Sequence, residues 1–175
     1  MIVILVYYFV STIVPIDKII GKIYQKIIDL LNHGDASVVT EEDEMNFPGT
    51  KVLVVEDNDI NWEIISTLLS MHEITCDRAE NGKIAYKLIK EDEYKNPYDL
   101  IFMDIQMPVM NGLDATRAIR KIDSEYARCV PIIAMSADAF SENVAECIEA
   151  GMNGHIAKPI DMKLVLAEIR KIKKN

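Results

Sequence analysis

The sequence is short of basic residues and has no paired cysteines, and both features exclude classes of protein. It has 175 residues, with 19 Lys and Arg against 28 Asp and Glu, and a net charge of −9. Nucleic-acid binding depends on basic side chains that displace counterions from phosphates, so nucleic acid is excluded as a direct partner. The three cysteines, Cys76, Cys129 and Cys147, form no CxxC pair. Their spacing predicts reduced thiols in a cytosolic fold.

Glycine-rich phosphate-binding loops are also missing. No segment matches the GxxxxGK[ST] pattern, so nothing in the sequence predicts a cradle for a nucleotide. Half of the residues are hydrophobic, which excludes a disordered acidic protein. The length suits one domain with a real core and a short appendage, but not two large domains.

The first 31 residues predict a helical segment that is apolar and then amphipathic. Residues 1–16 carry no charged side chain. As a helix they would span about 24 Å, which is short of the roughly 30 Å hydrocarbon core. Membrane contact, helix pairing and the remnant of a longer protein stay open for this segment. If it entered a membrane, the lysines that follow would hold that side in the cytoplasm. Residues 32–50 are predicted to be an acidic linker that ends near Thr50.

From Lys51 the pattern alternates between short apolar runs and helical periodicity. The predicted strands are residues 52–55, 74–79, 99–103, 131–135 and 155–157, and each precedes a helical stretch. Five strands with intervening helices indicate a parallel sheet covered on both faces. We therefore predict an α/β domain over residues 51–175, with a doubly wound five-stranded sheet of flavodoxin-like order 2-1-3-4-5 and an N-terminal helical extension.

Acidic residues follow the two strands that this order places side by side. Glu56 and Asp57 end the first strand and Asp104 ends the third. Like charges brought together need a proton or a cation between them, and oxygen ligands without His or Cys favour Mg²⁺ or Mn²⁺. Ser136 and Lys158 end the fourth and fifth strands. A carboxylate nucleophile, a hard metal, a hydroxyl and an ammonium together predict a phosphoryl-transfer site.

Four motifs in this order resemble the receiver domain of two-component response regulators, a CheY-like fold. The amino-acid sequences of these motifs are most similar to those in the receivers of hybrid sensor histidine kinases. The matching stretches are VLVVEDN (52–58), FMDIQMP (102–108) with Asn111-Gly112, IAMSA (133–137), and Gly151-Met152 with AKPI (157–160).

The resemblance implies a role for each of these residues. Asp104 would accept a phosphoryl group from a phosphohistidine on a sensor histidine kinase or a histidine phosphotransfer protein. Asp57, Asp104 and the backbone carbonyl of Gln106 would hold Mg²⁺, with Glu56 assisting. Ser136 and Lys158 would contact phosphoryl oxygens, and the Lys158–Pro159 bond would be cis. Such a domain phosphorylates and dephosphorylates itself with Mg²⁺ and is not a stand-alone turnover enzyme.

Three further side chains are interpreted one by one. Glu56 stands where the family more often has Asp, and its extra methylene could move it from the metal toward a capping or solvent role. Asp59 lies at the start of a helix, where we expect it to act as a cap. His155 occupies the place of a Tyr or Phe switch residue, and a role as an exposed histidine of little consequence is the alternative.

Two other functions compete with phospho-acceptance. A pseudo-receiver would bind partners without being phosphorylated, but the intact set of Asp57, Asp104, Ser136 and Lys158 argues against it. A Mg²⁺-dependent phosphatase of the haloacid-dehalogenase type also uses an aspartate nucleophile. That chemistry needs a second acid two residues after the nucleophile, where this sequence has Gln106.

Overall fold

The computed structural model describes residues 46–91, 98–137 and 141–173. The chain divides into two units, Met1–Asp43 and Glu44–Asn175, and every described residue belongs to the second. The predicted N-terminal segment 1–31 and most of the predicted linker 32–50 lie outside the described residues, and their assignments stay predictions. Within the described ranges, no helix is both long enough and apolar enough to cross a membrane.

Strands and helices alternate along the second unit. In chain order they are β1 (Lys51–Val55), α1 (Asp59–Ser70), β2 (Thr75–Ala79), α2 (Gly82–Glu91), β3 (Leu100–Asp104), α3 (Gly112–Arg120), α4 (Glu125–Cys129), β4 (Ile132–Ser136), α5 (Ser141–Ala150), β5 (Gly154–Ala157) and α6 (Met162–Lys173).

The strands form one parallel sheet in the order β2-β1-β3-β4-β5, which confirms the predicted flavodoxin-like fold. Strands β3 and β4 are buried along their whole length, as expected for a sheet covered on both faces. Successive side chains enter two separate cores. Leu53 and Ile101 belong to one, whereas Val54 and Phe102 belong to the other.

Helix α1 begins differently from the prediction. Asn58 caps it, with a side-chain oxygen that accepts from the main-chain N–H groups of Ile60 and Asn61 at 2.9 Å and 3.1 Å. The prediction that Asp59 is the cap was wrong. Asp59 is the first helical residue, where its charge favours the helix dipole, and its carboxylate pairs with Arg78.

The short helix α4 was not predicted. It has five residues, too few for a hydrophobic period to show, and Ser124 caps it. Arg120, the last residue of α3, donates to the carbonyl of Ala127 in α4 at 2.8 Å and to the carbonyl of Gly151 at 3.0 Å. One half-buried guanidinium therefore joins α3, α4 and the turn before β5.

Gly112 lets the loop after β3 fold closely over the strand end. A Cβ at this position would lie 2.2 Å from the carbonyl oxygen of Asp104. The Gly112 N–H donates to the carbonyl of Ile105 at 2.9 Å, and Asn111 caps helix α3. A side chain at 112 would therefore push helix α3 away from the strand end that carries Asp104.

We predict that Gly112→Ala destabilises the domain by about 3 kcal/mol, because the added methyl meets a main-chain atom that cannot move aside. Urea unfolding measures this change. Gly49→Ala is the matched control, since Gly49 has a φ of +76° and no atom within 4 Å of a built Cβ. Its loss, about 1 kcal/mol, comes from the left-handed backbone alone. Equal losses for both variants would contradict the close approach at Gly112.

Candidate functional site

Three carboxylates meet at the carboxyl edge of the sheet. Glu56 and Asp57 follow β1, Asp104 ends the neighbouring strand β3, and one oxygen from each lies within 4.8 Å of the others. The sequence predicted this meeting from strand order alone. Glu56 and Asp104 are buried, whereas Asp57 is exposed. The cluster therefore has a closed side toward the sheet and an open side toward solvent.

Lys158 bridges the two buried carboxylates from the end of the outermost strand, β5. It follows β5, and its Nζ lies 2.7 Å from Oε2 of Glu56 and 2.7 Å from Oδ2 of Asp104. Its main-chain N–H donates to the carbonyl of Ser136 at 2.7 Å, and the Lys158–Pro159 bond is cis, as predicted. The ammonium thus links the ends of β1, β3 and β5.

Glu56 is almost completely buried, with 1% of its surface exposed. One of its oxygens binds Lys158, and the other accepts from Asn61 Nδ2 at 3.0 Å and from the Asn58 N–H at 3.3 Å. The solvent role considered for Glu56 is therefore wrong. Its longer side chain reaches Lys158 while it also supports the first residues of α1.

The ionisation of the site reflects its burial. Removal from water raises the pKa of Asp104 above its usual range, and the nearby Lys158 only partly offsets this effect. For Lys158, burial acts to lower the pKa, but the hydrogen bonds and charges of Asp104 and Glu56 outweigh it and raise the pKa. The lysine is therefore a fixed positive charge at neutral pH.

Gln106 and Ser136 lie at the same edge. The Gln106 N–H donates to Oδ1 of Asp104 at 3.2 Å, which orients the carboxylate. The predicted use of the Gln106 carbonyl as a ligand stays a prediction. Ser136 ends β4 one residue beyond Met135, the partner of Asp104 in the sheet, and is buried.

His155 contacts Ser136 directly. Its Nε2 lies 2.7 Å from the Ser136 Oγ, and the ring is half-buried on β5. The alternative of an exposed histidine is therefore wrong, and the switch role of His155 stays a prediction. The hydroxyl predicted to meet a phosphoryl group is linked to a ring on the neighbouring strand.

Arg78 is a residue at the site that the sequence analysis missed. It lies on β2, and its Nε and Nη2 donate to the carbonyl oxygens of Glu56 and Asp57, each at 3.1 Å. The available signal was a pair of adjacent charged residues, Asp77 and Arg78, inside a short strand. Its partners could not be found from the sequence, because they are main-chain atoms.

The donor set fits a hard divalent cation. In the described part of the chain, three carboxylates share the edge with the Lys158 ammonium and the Arg78 guanidinium, so negative charge is still in excess. All of the side-chain donors are oxygens, which Mg²⁺ prefers, and the Asp57 carboxylate faces solvent. The arrangement can hold such a cation next to a buried nucleophilic carboxylate and a fixed ammonium.

Comparison with known proteins identifies the family. The model of the response regulator receiver domain matches residues 52–170. The chain belongs to the response regulator receiver family. The osmosensing histidine protein kinase SLN1 of Saccharomyces cerevisiae is 40% identical over an alignment of 137 residues, which covers 73% of this chain and 11% of SLN1. The chain spans 3% to 14% of seven other histidine kinases that it resembles.

Solved receiver structures agree in fold. The receiver of the Arabidopsis thaliana histidine kinase CKI1, complexed with Mg²⁺, has a TM-score of 0.65 and 36% identity, covering 72% of this chain and 95% of that one. The receiver of Ssk1 from Saccharomyces cerevisiae, crystallised with the histidine phosphotransfer protein Ypd1, has a TM-score of 0.61 and 30% identity. It covers 70% of this chain and 88% of that one.

We predict that Asp104→Asn stabilises the domain at neutral pH in EDTA. Since folding raises the pKa of Asp104, the wild-type protein loses stability as pH rises through that pKa, and Asn cannot ionise. The advantage of the variant should shrink as pH falls toward 4. Urea unfolding from pH 4 to pH 8 measures it. A variant less stable at every pH would show that pairing with Lys158 outweighs burial.

Asp77→Asn is the matched control with the opposite sign. A hydrogen bond from Lys51 is the main cause that lowers the pKa of Asp77, and one from Tyr98 adds to it. Asp77 therefore contributes stability above the pKa of the unfolded chain, and this contribution disappears as pH falls through its lower folded pKa. Asp77→Asn should destabilise at neutral pH and have little effect at the acid end.

Proposed function

We propose that this receiver domain accepts a phosphoryl group onto Asp104 from a phosphohistidine on a partner protein. The observation that carries the proposal is the Asp104 carboxylate, held 2.7 Å from the Lys158 ammonium beside two further carboxylates. The relatives named histidine kinases and the Ssk1 receiver crystallised with Ypd1 support a sensor histidine kinase or a histidine phosphotransfer protein as the donor.

In the proposed reaction an Asp104 oxygen attacks the phosphorus in line with the departing imidazole. The new O–P bond forms as the donor's N–P bond breaks, and the bonding electrons leave with the imidazole nitrogen, which gains a proton from solvent. The Lys158 ammonium pairs with a phosphoryl oxygen, and the Ser136 hydroxyl donates to another. Hydrolysis of the acyl phosphate returns Asp104 to its starting state. The domain is thus a switch and not a turnover enzyme.

The residues that would hold Mg²⁺ are Asp57, Asp104 and the Gln106 carbonyl, with Glu56 assisting. Bound Mg²⁺ supplies positive charge that offsets the charge on the phosphoryl oxygens. Asp57 supports this assignment because its carboxylate is the exposed member of the cluster. The buried Glu56 is already engaged by Lys158 and Asn61, so its support is indirect. Mn²⁺ shares the preference for oxygen and is the alternative cation.

The competing functions have less support. A pseudo-receiver does not need the acidic cluster. In this structure the three carboxylates lie together and Lys158 contacts two of them, which favours phospho-acceptance. A haloacid-dehalogenase-type phosphatase needs an acid at the position of Gln106.

The three free cysteines support a cytoplasmic location, since thiols stay reduced there.

His155 supports a route for the signal. When the Ser136 hydroxyl turns to the phosphoryl group, the ring that touches it at 2.7 Å must rearrange. His155 lies on β5, next to the last two helices of the fold. We infer that phosphorylation changes the surface formed there and so alters protein contacts.

We predict that incubation with Mg²⁺ and acetyl phosphate adds one phosphoryl mass to the intact protein. Asp104→Asn should abolish the adduct because the nucleophilic oxygen is gone, and EDTA should prevent it in the wild type. Intact-mass spectrometry measures both. Asp123→Asn is the matched control, an exposed acid after α3 at the opposite edge of the sheet. No adduct would favour the pseudo-receiver, and steady phosphate release without an adduct would favour the phosphatase.

We also predict that phosphorylation shifts the imidazole NMR signals of His155, because its hydroxyl partner moves. In Ser136→Ala the shift should be much smaller, since the hydroxyl that links the ring to the phosphoryl group is missing. The ring of His72, which lies after α1, is the internal control and should not respond. An equal shift in the wild type and in Ser136→Ala would contradict this route.

A further inference from the structure

Arg78 directs every nitrogen of its guanidinium to one short stretch of chain. Its Nε donates to the Glu56 carbonyl and its Nη2 to the Asp57 carbonyl, each at 3.1 Å. Its Nη1 lies 2.7 Å from Oδ1 of Asp59. Two of these three contacts fall on the β1–α1 loop (residues 56–58), which carries two of the clustered carboxylates.

The guanidinium is itself held in place. Arg78 pairs with Val54 in the sheet, its side chain is 18% exposed, and its Cζ lies 5.9 Å from the centre of the Trp62 ring. An arginine against an aromatic face gains cation–π attraction, and its planar fork loses little freedom on binding. A second anchor comes from the end of β2, where the Ala79 carbonyl accepts from the Glu56 N–H at 3.0 Å.

The ion pair with Asp59 does not account for this arrangement. The Asp59 side chain is 91% exposed, and ion pairs in such a setting contribute little. Hydrogen bonds from a charged donor to main-chain carbonyls are stronger than neutral ones. The two carbonyl contacts fix the peptide groups on either side of the Asp57 Cα and leave the Asp57 carboxylate open to solvent.

We propose that Arg78 is a positioning residue that sets the affinity of the acidic cluster for Mg²⁺ by holding the main chain of the β1–α1 loop. The inference rests on the proposed function, because it takes the cluster to be a Mg²⁺ site. Groups that orient metal ligands without touching the metal typically change metal affinity by about 10- to 100-fold.

If Arg78 acted only through its charge, its removal would have the opposite effect on Mg²⁺ affinity. The charge of Arg78 and its positioning of the loop can therefore be told apart by experiment. Removing a positive charge near three carboxylates would strengthen cation binding. Arg78→Met would then bind Mg²⁺ more tightly, and Arg78→Lys, which keeps the charge, would behave as the wild type. If Arg78 positions the loop, both variants lose the paired carbonyl contacts, and both should bind Mg²⁺ about 10-fold more weakly.

The test measures unfolding by urea in EDTA and at increasing Mg²⁺ for the wild type, Arg78→Lys and Arg78→Met. The free energy of unfolding in EDTA records any loss of stability that is independent of Mg²⁺. Its increase with Mg²⁺ concentration gives the dissociation constant of Mg²⁺. Phosphorylation by acetyl phosphate is followed at the same concentrations. We expect the half-saturating Mg²⁺ concentration to rise about 10-fold, with a maximal rate close to that of the wild type at saturation.

Asp59→Asn is the matched control, because it removes the exposed ion pair and keeps both carbonyl contacts. Its Mg²⁺ affinity should change less than 2-fold, well below the effect of the Arg78 variants. An effect as large as that of Arg78→Lys would assign the role to the ion pair and overturn the proposal. Unchanged Mg²⁺ affinity in both Arg78 variants, or tighter binding in Arg78→Met, would also overturn it.

The outcome for the wild type separates this inference from the proposed function. A wild-type protein that neither gains stability from Mg²⁺ nor forms the phosphoryl adduct contradicts the proposed function itself. A wild-type protein that does both, beside Arg78 variants with wild-type affinity, contradicts only the role of Arg78. If Arg78→Met unfolds in EDTA, Arg78→Lys still decides the question.

Discussion

The site depends on one electrostatic constraint, the meeting of three carboxylates at the edge of a parallel sheet. Parallel strands bring all their carboxyl ends to one edge, and the order 2-1-3-4-5 places β1 and β3 side by side. Negative charges gathered in this way require positive charge nearby. Lys158, which follows β5, provides this charge through two contacts of 2.7 Å. The last strand of the sheet thus supplies the cation for acids that follow the first and third strands.

The surrounding structure keeps these groups in place by close approach and by main-chain hydrogen bonds. Gly112 lets helix α3 start against the Asp104 carbonyl, and the Gln106 N–H orients the Asp104 carboxylate. Arg78 holds the loop that follows β1. Each support acts on one of the two strands that carry the acids. The nucleophilic carboxylate is therefore fixed from several directions, whereas Asp57 remains open to solvent.

Much of this could be predicted from the sequence because strong local patterns carried it. Uniformly apolar runs such as residues 100–103 predict buried strands, and the acids that follow them predict a shared edge. The cap of α1 was misassigned because Asn58 and Asp59 are both suitable capping residues. Helix α4 is too short to show a period. The burial of Glu56 follows from its contact with Lys158, 102 positions away in the sequence, which no local pattern contains.

Arg78 binds carbonyl oxygens, which every residue type carries. The support it gives to the β1–α1 loop is therefore indifferent to the side chains at positions 56 and 57. A longer or shorter side chain at position 56 would leave the same two carbonyl oxygens available to Arg78. The scaffolding of the loop and the chemistry of its side chains are thus encoded in separate parts of the sequence. Substitutions can change the acids of this loop without removing the Arg78 hydrogen bonds that hold its main chain.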